Sequence, residues 1–291
     1  MRVKQLGRYT LDRRIGEGGV AKVYRAHDPA DKAKTPVVIK VGEATDEKDF
    51  LKEANILRRL EHPNIVRIID YGKEKKKVFI VMEYVRGVDL HALMKAGGKL
   101  PLGLAAMVAK AIAAALATAH ALKDDDGSPL NIVHRDVTPT NVLLSEEGHV
   151  LLADFGTARW DLSEVATGTG IIKGKYEYLA PEQASGERVT QSADLYALGL
   201  VMFEMLSGKR AYDANNAFDM IELAASGILL SAKDTLPKET HALLPIVERL
   251  LKKDISERYA NAAQARDAIE AAVRVSDAER KELAARVKRA R

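Results

Sequence analysis

Hydrophobic and polar positions alternate in short runs along the first part of the chain and recur with a helical period beyond it. Tyr9 to Ile15 and Ala21 to His27 are strand-like runs on either side of a glycine cluster, the pattern of a hairpin. Val37-Val38-Ile39-Lys40-Val41 predicts a third strand. From Asp46 to Leu60, Phe50, Ala54, Leu57 and Leu60 fall at helical spacing. Acids lead this segment (Asp46, Glu47, Asp49) and Arg58 and Arg59 close it, so its charges complement a helix dipole. Ile65 to Tyr71 and Val78 to Glu83 predict two more strands, joined by the basic turn Lys73 to Lys77. After Val85-Arg86-Gly87 the pattern turns helical, at Leu102 to Leu122, Ser192 to Leu206, Ala217 to Ala225, Glu239 to Lys252 and Ala262 to Val273. The expected class is α+β, divided into 1–85, 86–275 and a basic C-terminal helix or linker at 276–291.

Composition narrows the function. A chain of 291 residues with 47% hydrophobic residues admits one large or two smaller units with real cores. It has no cysteine, which excludes disulfides and thiolate zinc sites and is compatible with a reducing compartment. Its 45 basic and 41 acidic residues leave a net charge of only +4, so the chain as a whole does not read as a nucleic-acid binder. Met1 to Gln5 carries no apolar signal segment. The most apolar stretch, Leu104 to Leu122, is mostly Ala and is interrupted by Lys110, Thr118 and His120, so it reads as a buried helix rather than a membrane span. The expected location is the cytoplasm, alone or as the cytoplasmic domain of a longer membrane-anchored protein. Asp124-Asp125-Asp126 lacks calcium-loop spacing and reads as a solvated turn. The tail from Ser276, with Arg286, Lys288, Arg289 and Arg291 at its end, reads as a solvated or linker helix; docking on a membrane or an acidic partner is the alternative.

The candidate chemistry is phosphate handling. Gly16-Glu17-Gly18-Gly19-Val20-Ala21-Lys22-Val23 joins two strands, and glycines let the backbone approach phosphates closely. A dinucleotide fold needs a helix after such a loop; here a strand follows. Lys40 ends an apolar strand, and Glu53 sits on the helix after it. Alone they read as a solvated strand end and a surface acid. Together a Lys40–Glu53 pair would aim the ammonium at nucleotide phosphates. His134-Arg135-Asp136-Val137-Thr138-Pro139-Thr140-Asn141 places Asp136 as a candidate base for a substrate hydroxyl, and Asn141 with Asp154 of Asp154-Phe155-Gly156 as oxygen ligands for Mg²⁺.

In that order and spacing these motifs resemble the catalytic domain of bacterial eukaryotic-type (Hanks-type) Ser/Thr protein kinases, from about Tyr9 to Val273. Ala180-Pro181-Glu182 stands at the expected distance, and Asp194-Leu195-Tyr196-Ala197-Leu198-Gly199 resembles the buried central helix whose Asp hydrogen-bonds the catalytic-loop backbone. Asp254-Ile255-Ser256-Glu257-Arg258 resembles the late motif whose Arg pairs with Glu182. The resemblance implies a two-lobed kinase fold: an antiparallel five-stranded sheet plus one helix, then a mainly helical lobe, with ATP between them. It implies ATP and Mg²⁺ (Mn²⁺ as a substitute) as cofactors and proteins as substrates. It assigns nucleotide contacts to Ile15, Gly16, Glu17, Gly18, Gly19, Val20, Val23, Val38, Lys40, Met82 as gatekeeper, Glu83, Val85, Leu143 and Asp154. Leu57, Ile68, His134 and Phe155 match an apolar stack, although ordinary core residues would show the same burial.

The chain departs from the family at four positions. Ala21 stands where the third loop glycine is usual, and Val38 where Ala is usual. Thr138 occupies the position of a catalytic-loop lysine, while Lys175 occupies the position of a threonine in Gly174-Lys175-Tyr176. The exchange suggests that Lys175 supplies the missing charge near the transferred phosphoryl group; a solvated loop lysine is the alternative. Thr167 and Thr169 lie in the activation segment, where phosphate could pair with Arg135. Autophosphorylation there is expected, with a transient homodimer as its vehicle, against an unmodified loop. A pseudokinase scaffold and a small-molecule phosphotransferase are the competing functions, the latter disfavoured by the Ala180-Pro181-Glu182 and Arg258 motifs.

Overall fold

The computed structural model describes residues 4–17, 21–43, 47–155 and 176–291. The chain divides into two compact units, one running to Val85 and the next starting at Arg86.

The first unit is a six-stranded antiparallel sheet in the order β1-β2-β3-β4-β6-β5: β1 (Lys4–Leu6), β2 (Tyr9–Glu17), β3 (Lys22–His27), β4 (Pro36–Gly42), β5 (Ile68–Glu74) and β6 (Lys77–Glu83). Five strands were expected; β1 is the sixth, formed because the chain turns at Gly7 and folds back on β2. Period-two alternation gives the sheet two faces. Tyr9, Ala26, Val37, Ile39, Val41, Phe79 and Val81 are buried on one of them with Leu6. The sheet curls about this core until its two edges meet: the Tyr9 hydroxyl donates to Asp70 at 3.0 Å and the Gly7 amide donates to Glu74 at 2.7 Å. Gly72 lets the Phe79 ring lie close there, since a Cβ on it would stand 2.9 Å from the ring. Helix α1 (Glu47–Leu57) packs Phe50, Ala54 and Leu57 inward, against β5 and β6. It stops at Leu57, and Arg58 and Arg59 follow in a turn rather than in the helix.

The second unit is mainly helical. It contains α2 (Leu90–Gly97), α3 (Leu102–His120), α4 (Pro181–Ala184), α5 (Gln191–Ser207), α6 (Ala217–Ser226), α7 (Ala232–Thr235), α8 (Leu244–Leu250), α9 (Ala262–Ala272) and α10 (Asp277–Ala290). A small antiparallel sheet of β7 (Gly87–Asp89), β8 (Val142–Ser145) and β9 (Val150–Leu152) completes it. By length and composition α3 could cross a membrane, but Leu104, Ile112 and Leu116 are fully buried and it packs on α5 and α9. Each such side chain contributes about 1.5–3 kcal/mol when buried. A single helix was expected from Glu239 to Lys252. Pro245 belongs in a first helical turn, so α8 starts at Leu244 and a 3₁₀ segment, Lys238–Leu243, precedes it.

The tail corrects the expectation of a solvated or linker helix. Leu283 and Val287, one turn apart, are fully buried, and α10 packs on α2, α3, β7 and β8. The acidic turn is hydrogen-bonded within itself, with Asp124 Oδ1 accepting from the Asp126 and Ser128 amides.

Candidate active site

Asp194, on the first turn of α5 and 1% exposed, organises the catalytic loop. It accepts from the His134 and Arg135 amides, both at 2.8 Å, and lies 2.8 Å from His120 Nε2. These bonds hold Arg135 at φ +67°, a left-handed conformation costing on the order of 1–3 kcal/mol. His134 is fully buried and bonded on both ring nitrogens: Nδ1 accepts from the Asp136 amide at 3.2 Å and Nε2 donates to the Ala153 carbonyl at 2.9 Å. That pairing requires the Nε2–H tautomer. The ring also meets Phe155 edge-on at 4.5 Å.

The loop therefore presents Asp136 from a fixed backbone. Asn141 Nδ2 donates to the Asp136 carbonyl at 2.8 Å and to its Oδ2 at 2.9 Å. With the amide nitrogen engaged there, Asn141 Oδ1 is the atom of this side chain that could hold a cation. The Ala153 amide donates to the Asn141 carbonyl at 2.8 Å, which places Asp154 beside Asn141. Asp154 has φ +65° and Phe155 behind it is buried. One amide oxygen and one carboxylate are the donor types that would hold a hard cation such as Mg²⁺. Thr138, 5% exposed, bonds Thr140 through the two hydroxyls at 3.0 Å, and neither group carries charge.

The segment after residue 175 is anchored from below. Arg258 and Glu182 form a buried two-bond pair at 2.7 and 2.8 Å. Gln183 donates to the Arg135 carbonyl at 3.3 Å and accepts from the Ala180 amide at 3.1 Å. The Tyr178 hydroxyl donates to Glu204, and that of Tyr212 to the Leu179 carbonyl at 2.7 Å. Burial pushes both phenols well above their ordinary pKa. Burial also raises the Glu177 carboxyl, an effect that its partner Arg210 opposes.

In the first unit, Val38 and Lys40 point away from the packed core. Their cross-strand neighbours on that face are Val23, opposite Lys40, and Met82, opposite Val38. Gly16 pairs with Val23 and continues the row. Ile15 is 42% exposed, Val23 and Val38 are half-buried, and Met82 is buried. Glu53 is half-buried on α1 and Ala21 is buried. Glu83 accepts from the Arg67 amide at 2.8 Å, fixing the end of β6 before Val85. Leu57 is buried and Ile68 half-buried in this unit; His134 and Phe155 meet in the other. Leu143, on β8, is half-buried. Gly18, Gly19, Val20, Thr167, Thr169 and Lys175 lie outside the described residues.

His120, Gln183 and Gln191 escaped the sequence reading. Gln191 Nε2 donates to the carbonyls of His120 and Ile132 at 3.0 and 3.3 Å, steadying the chain ahead of the catalytic loop. Only Gln183 carried a signal, its place after Glu182.

A family model described as the protein kinase domain matches residues 9–270. The chain belongs to the protein kinase family. It is 34% identical over 275 residues to the tyrosine-protein kinase MasK of Myxococcus xanthus, covering 91% of this chain and 43% of that protein. It is 36% identical over 260 residues to the serine/threonine-protein kinase PrkC of Bacillus subtilis, covering 88% and 39%. PknH of Mycobacterium tuberculosis, a serine/threonine-protein kinase, is 34% identical over 260 residues, covering 88% and 40%. The chain thus spans about two fifths of the length of these relatives. The kinase domain of Mycobacterium tuberculosis PknI matches in structure with a TM-score of 0.69 and 26% identity, covering 94% of this chain and 99% of that chain.

Proposed function

We propose that this chain is an active, Mg²⁺-dependent kinase that transfers the γ-phosphoryl group of ATP to Ser or Thr hydroxyls of proteins. The observation that carries the proposal is the Asp136–Asn141 lock. One side chain fixes the carboxylate that meets the hydroxyl and offers its own oxygen to the metal. The hydroxyl oxygen attacks the γ-phosphorus in line, the bond to the β–γ bridging oxygen breaks, and ADP keeps that electron pair. Asp136 orients the hydroxyl and takes its proton. Asn141 and Asp154 would hold Mg²⁺, which neutralises phosphate charge when bound; Mn²⁺ accepts the same oxygens. Lys40, oriented by Glu53, takes the α- and β-phosphates beside the Gly16–Val20 loop. Ile15, Val23, Val38 and Leu143 enclose the adenine, and the backbone at Glu83 and Val85 meets its edge.

Thr138 leaves the catalytic loop without its usual lysine, and Lys175 is the residue we assign to that charge. Thr167 and Thr169 are the assigned autophosphorylation sites, modified within a transient homodimer and read by Arg135. A cytoplasmic location, alone or as the cytoplasmic domain of a longer membrane-anchored protein, fits this reading. All five polar groups that the chemistry uses are present (Lys40, Glu53, Asp136, Asn141, Asp154), which favours an enzyme over a nucleotide-binding scaffold. The test is transfer from γ-labelled ATP to a generic acceptor protein, with phosphoamino-acid analysis and a chelator control. Label on Ser or Thr, dependent on Mg²⁺, is expected. An inert wild-type protein overturns the proposal, and label on Tyr alone overturns its hydroxyl class.

A further inference from the structure

The residues matched to the family end at 270, yet α10 begins at Asp277 and is built into the second unit. Its start is capped twice, as Ser276 N and Oγ both donate to Glu279 Oε2, at 2.8 and 2.7 Å. Leu283 and Val287 are its fully buried anchors. Its polar contacts converge on one place, the 145–149 turn that joins β8 to β9. Arg280 Nε donates to the Glu147 carbonyl at 3.2 Å, and its Nη2 lies 3.1 Å from His149 Nε2. Arg291 pairs with Glu146, which also pairs with Arg86 at 3.0 Å. Gly148 has φ +81° and lies so close to the helix that a Cβ on it would stand 2.3 Å from the Arg280 carbonyl oxygen. Glycine is therefore required twice over, by conformation and by space.

That turn is the outer end of a short lever. β8 spans 4 residues and starts immediately after Asn141; β9 spans 3 and ends two residues before Asp154. The inner ends are tied by the Ala153–Asn141 hydrogen bond and the outer end by α10. At about 3.3 Å per residue the lever is only on the order of 13 Å long, so a shift of the turn reaches the inner end with little loss.

We propose that α10 is a positioning element for the metal-binding pair: its grip on the 145–149 turn holds the β8–β9 hairpin, and with it Asn141 and Asp154, in place. This rests on the assignment of those two residues to Mg²⁺. Residues that orient metal ligands cost about 10–100-fold in metal affinity or activity when removed, and α10 acts one step further out, so the low end applies. Val287→Asp releases the helix, and Arg280→Ala removes the contacts to Glu147 and His149 while leaving Leu283, Val287 and the Arg291–Glu146 pair in place.

Three readouts test the proposal: hydrogen exchange across 141–154, the Mg²⁺ concentration giving half-maximal nucleotide binding, and turnover. In Val287→Asp, faster exchange at 141–154 is expected, with about a tenfold higher Mg²⁺ requirement and a similar loss of kcat. Arg280→Ala should shift the same way by a few-fold at an unchanged melting temperature, with partial recovery in Arg280→Lys. Should Val287→Asp fail to fold, Arg280→Ala carries the test. Exchange at 141–154 and a Mg²⁺ requirement both at wild-type values, in a variant whose α10 amides have lost protection, overturn the proposal. A wild-type protein without phosphotransfer would remove the kinase assignment; the exchange and nucleotide-binding measurements would still decide the role of α10.

Discussion

Replacing Arg258 by methionine keeps most of the side chain's length but removes a guanidinium whose N–H groups are all engaged. Nη1 and Nη2 donate to Glu182 Oε1 and Oε2, and each also donates to a backbone carbonyl, Ser192 and Lys253, both at 3.1 Å. Nε donates to the Lys252 carbonyl at 2.7 Å, and the guanidinium carbon lies 4.7 Å from the centre of the Tyr196 ring. After the substitution the Glu182 carboxylate stays 4% exposed in the wild-type frame without its cation. Removing one partner of a buried ion pair costs about 3–5 kcal/mol. At about 2–4 °C per kcal/mol for a unit of this size, the melting temperature should fall by roughly 6–20 °C. The double variant Glu182→Leu with Arg258→Met removes both charges and should recover at least about 2 kcal/mol relative to the sum of the single changes. Urea unfolding followed by far-UV circular dichroism, with thermal scans, measures all four proteins. An Arg258→Met protein within about 1 kcal/mol of wild type, or strictly additive variants, would show that the Arg258–Glu182 pair does not stabilise this unit as its burial implies.

Three further outcomes are expected. Lys175→Ala should lower kcat by about 10²-fold with little change in the melting temperature, because a charge near the developing transition state is lost; undiminished turnover would rule out its assigned role. Intact-mass analysis after incubation with Mg²⁺ and ATP should show phosphoryl increments on the wild type that are largely missing from the Thr167→Ala, Thr169→Ala double variant. Equal labelling of the two would place the sites elsewhere. Burial raises the phenol pKa of Tyr9, Tyr178, Tyr196, Tyr212 and Tyr259. The stability this contributes is complete below the unfolded phenol value of about 10 and is lost as pH rises above it, because the unfolded chain then releases protons that the folded chain retains. Urea midpoints should therefore fall above pH ~10, with much of the tyrosinate absorbance appearing only on unfolding. All 9 tyrosines titrating near pH 10 with an intact near-UV spectrum would contradict this.

The strands of the first unit and the long helices of the second were legible because local patterning decides them. Val37, Ile39 and Val41 alternate with Val38 and Lys40, so burial and exposure sort themselves along β4. The family was legible for another reason: its motifs keep residue types at fixed offsets, as in Asp136, Asn141 and Asp154. What escaped depends on distant partners. His120 interrupts an apolar helix and looks like a blemish until Asp194 arrives beside it. Its Nδ1 is buried without a hydrogen-bond partner among the described residues. Helix α10 offers only Leu283 and Val287 as apolar anchors among many charges, and its counterpart is the backbone at Gly148, which no side-chain pattern announces. The Leu244 boundary was legible in principle, from Pro245 alone.

The central claim is that Asp136, held by Asn141, carries phosphoryl transfer to a protein hydroxyl. Initial rates of γ-phosphoryl transfer, measured side by side for the wild type and Asp136→Asn at saturating Mg²⁺ and ATP, test it most directly. The account predicts steady transfer by the wild type and a loss of about 10²–10⁴-fold in the variant, with nucleotide binding and melting temperature retained. Transfer at the wild-type rate by Asp136→Asn would contradict it.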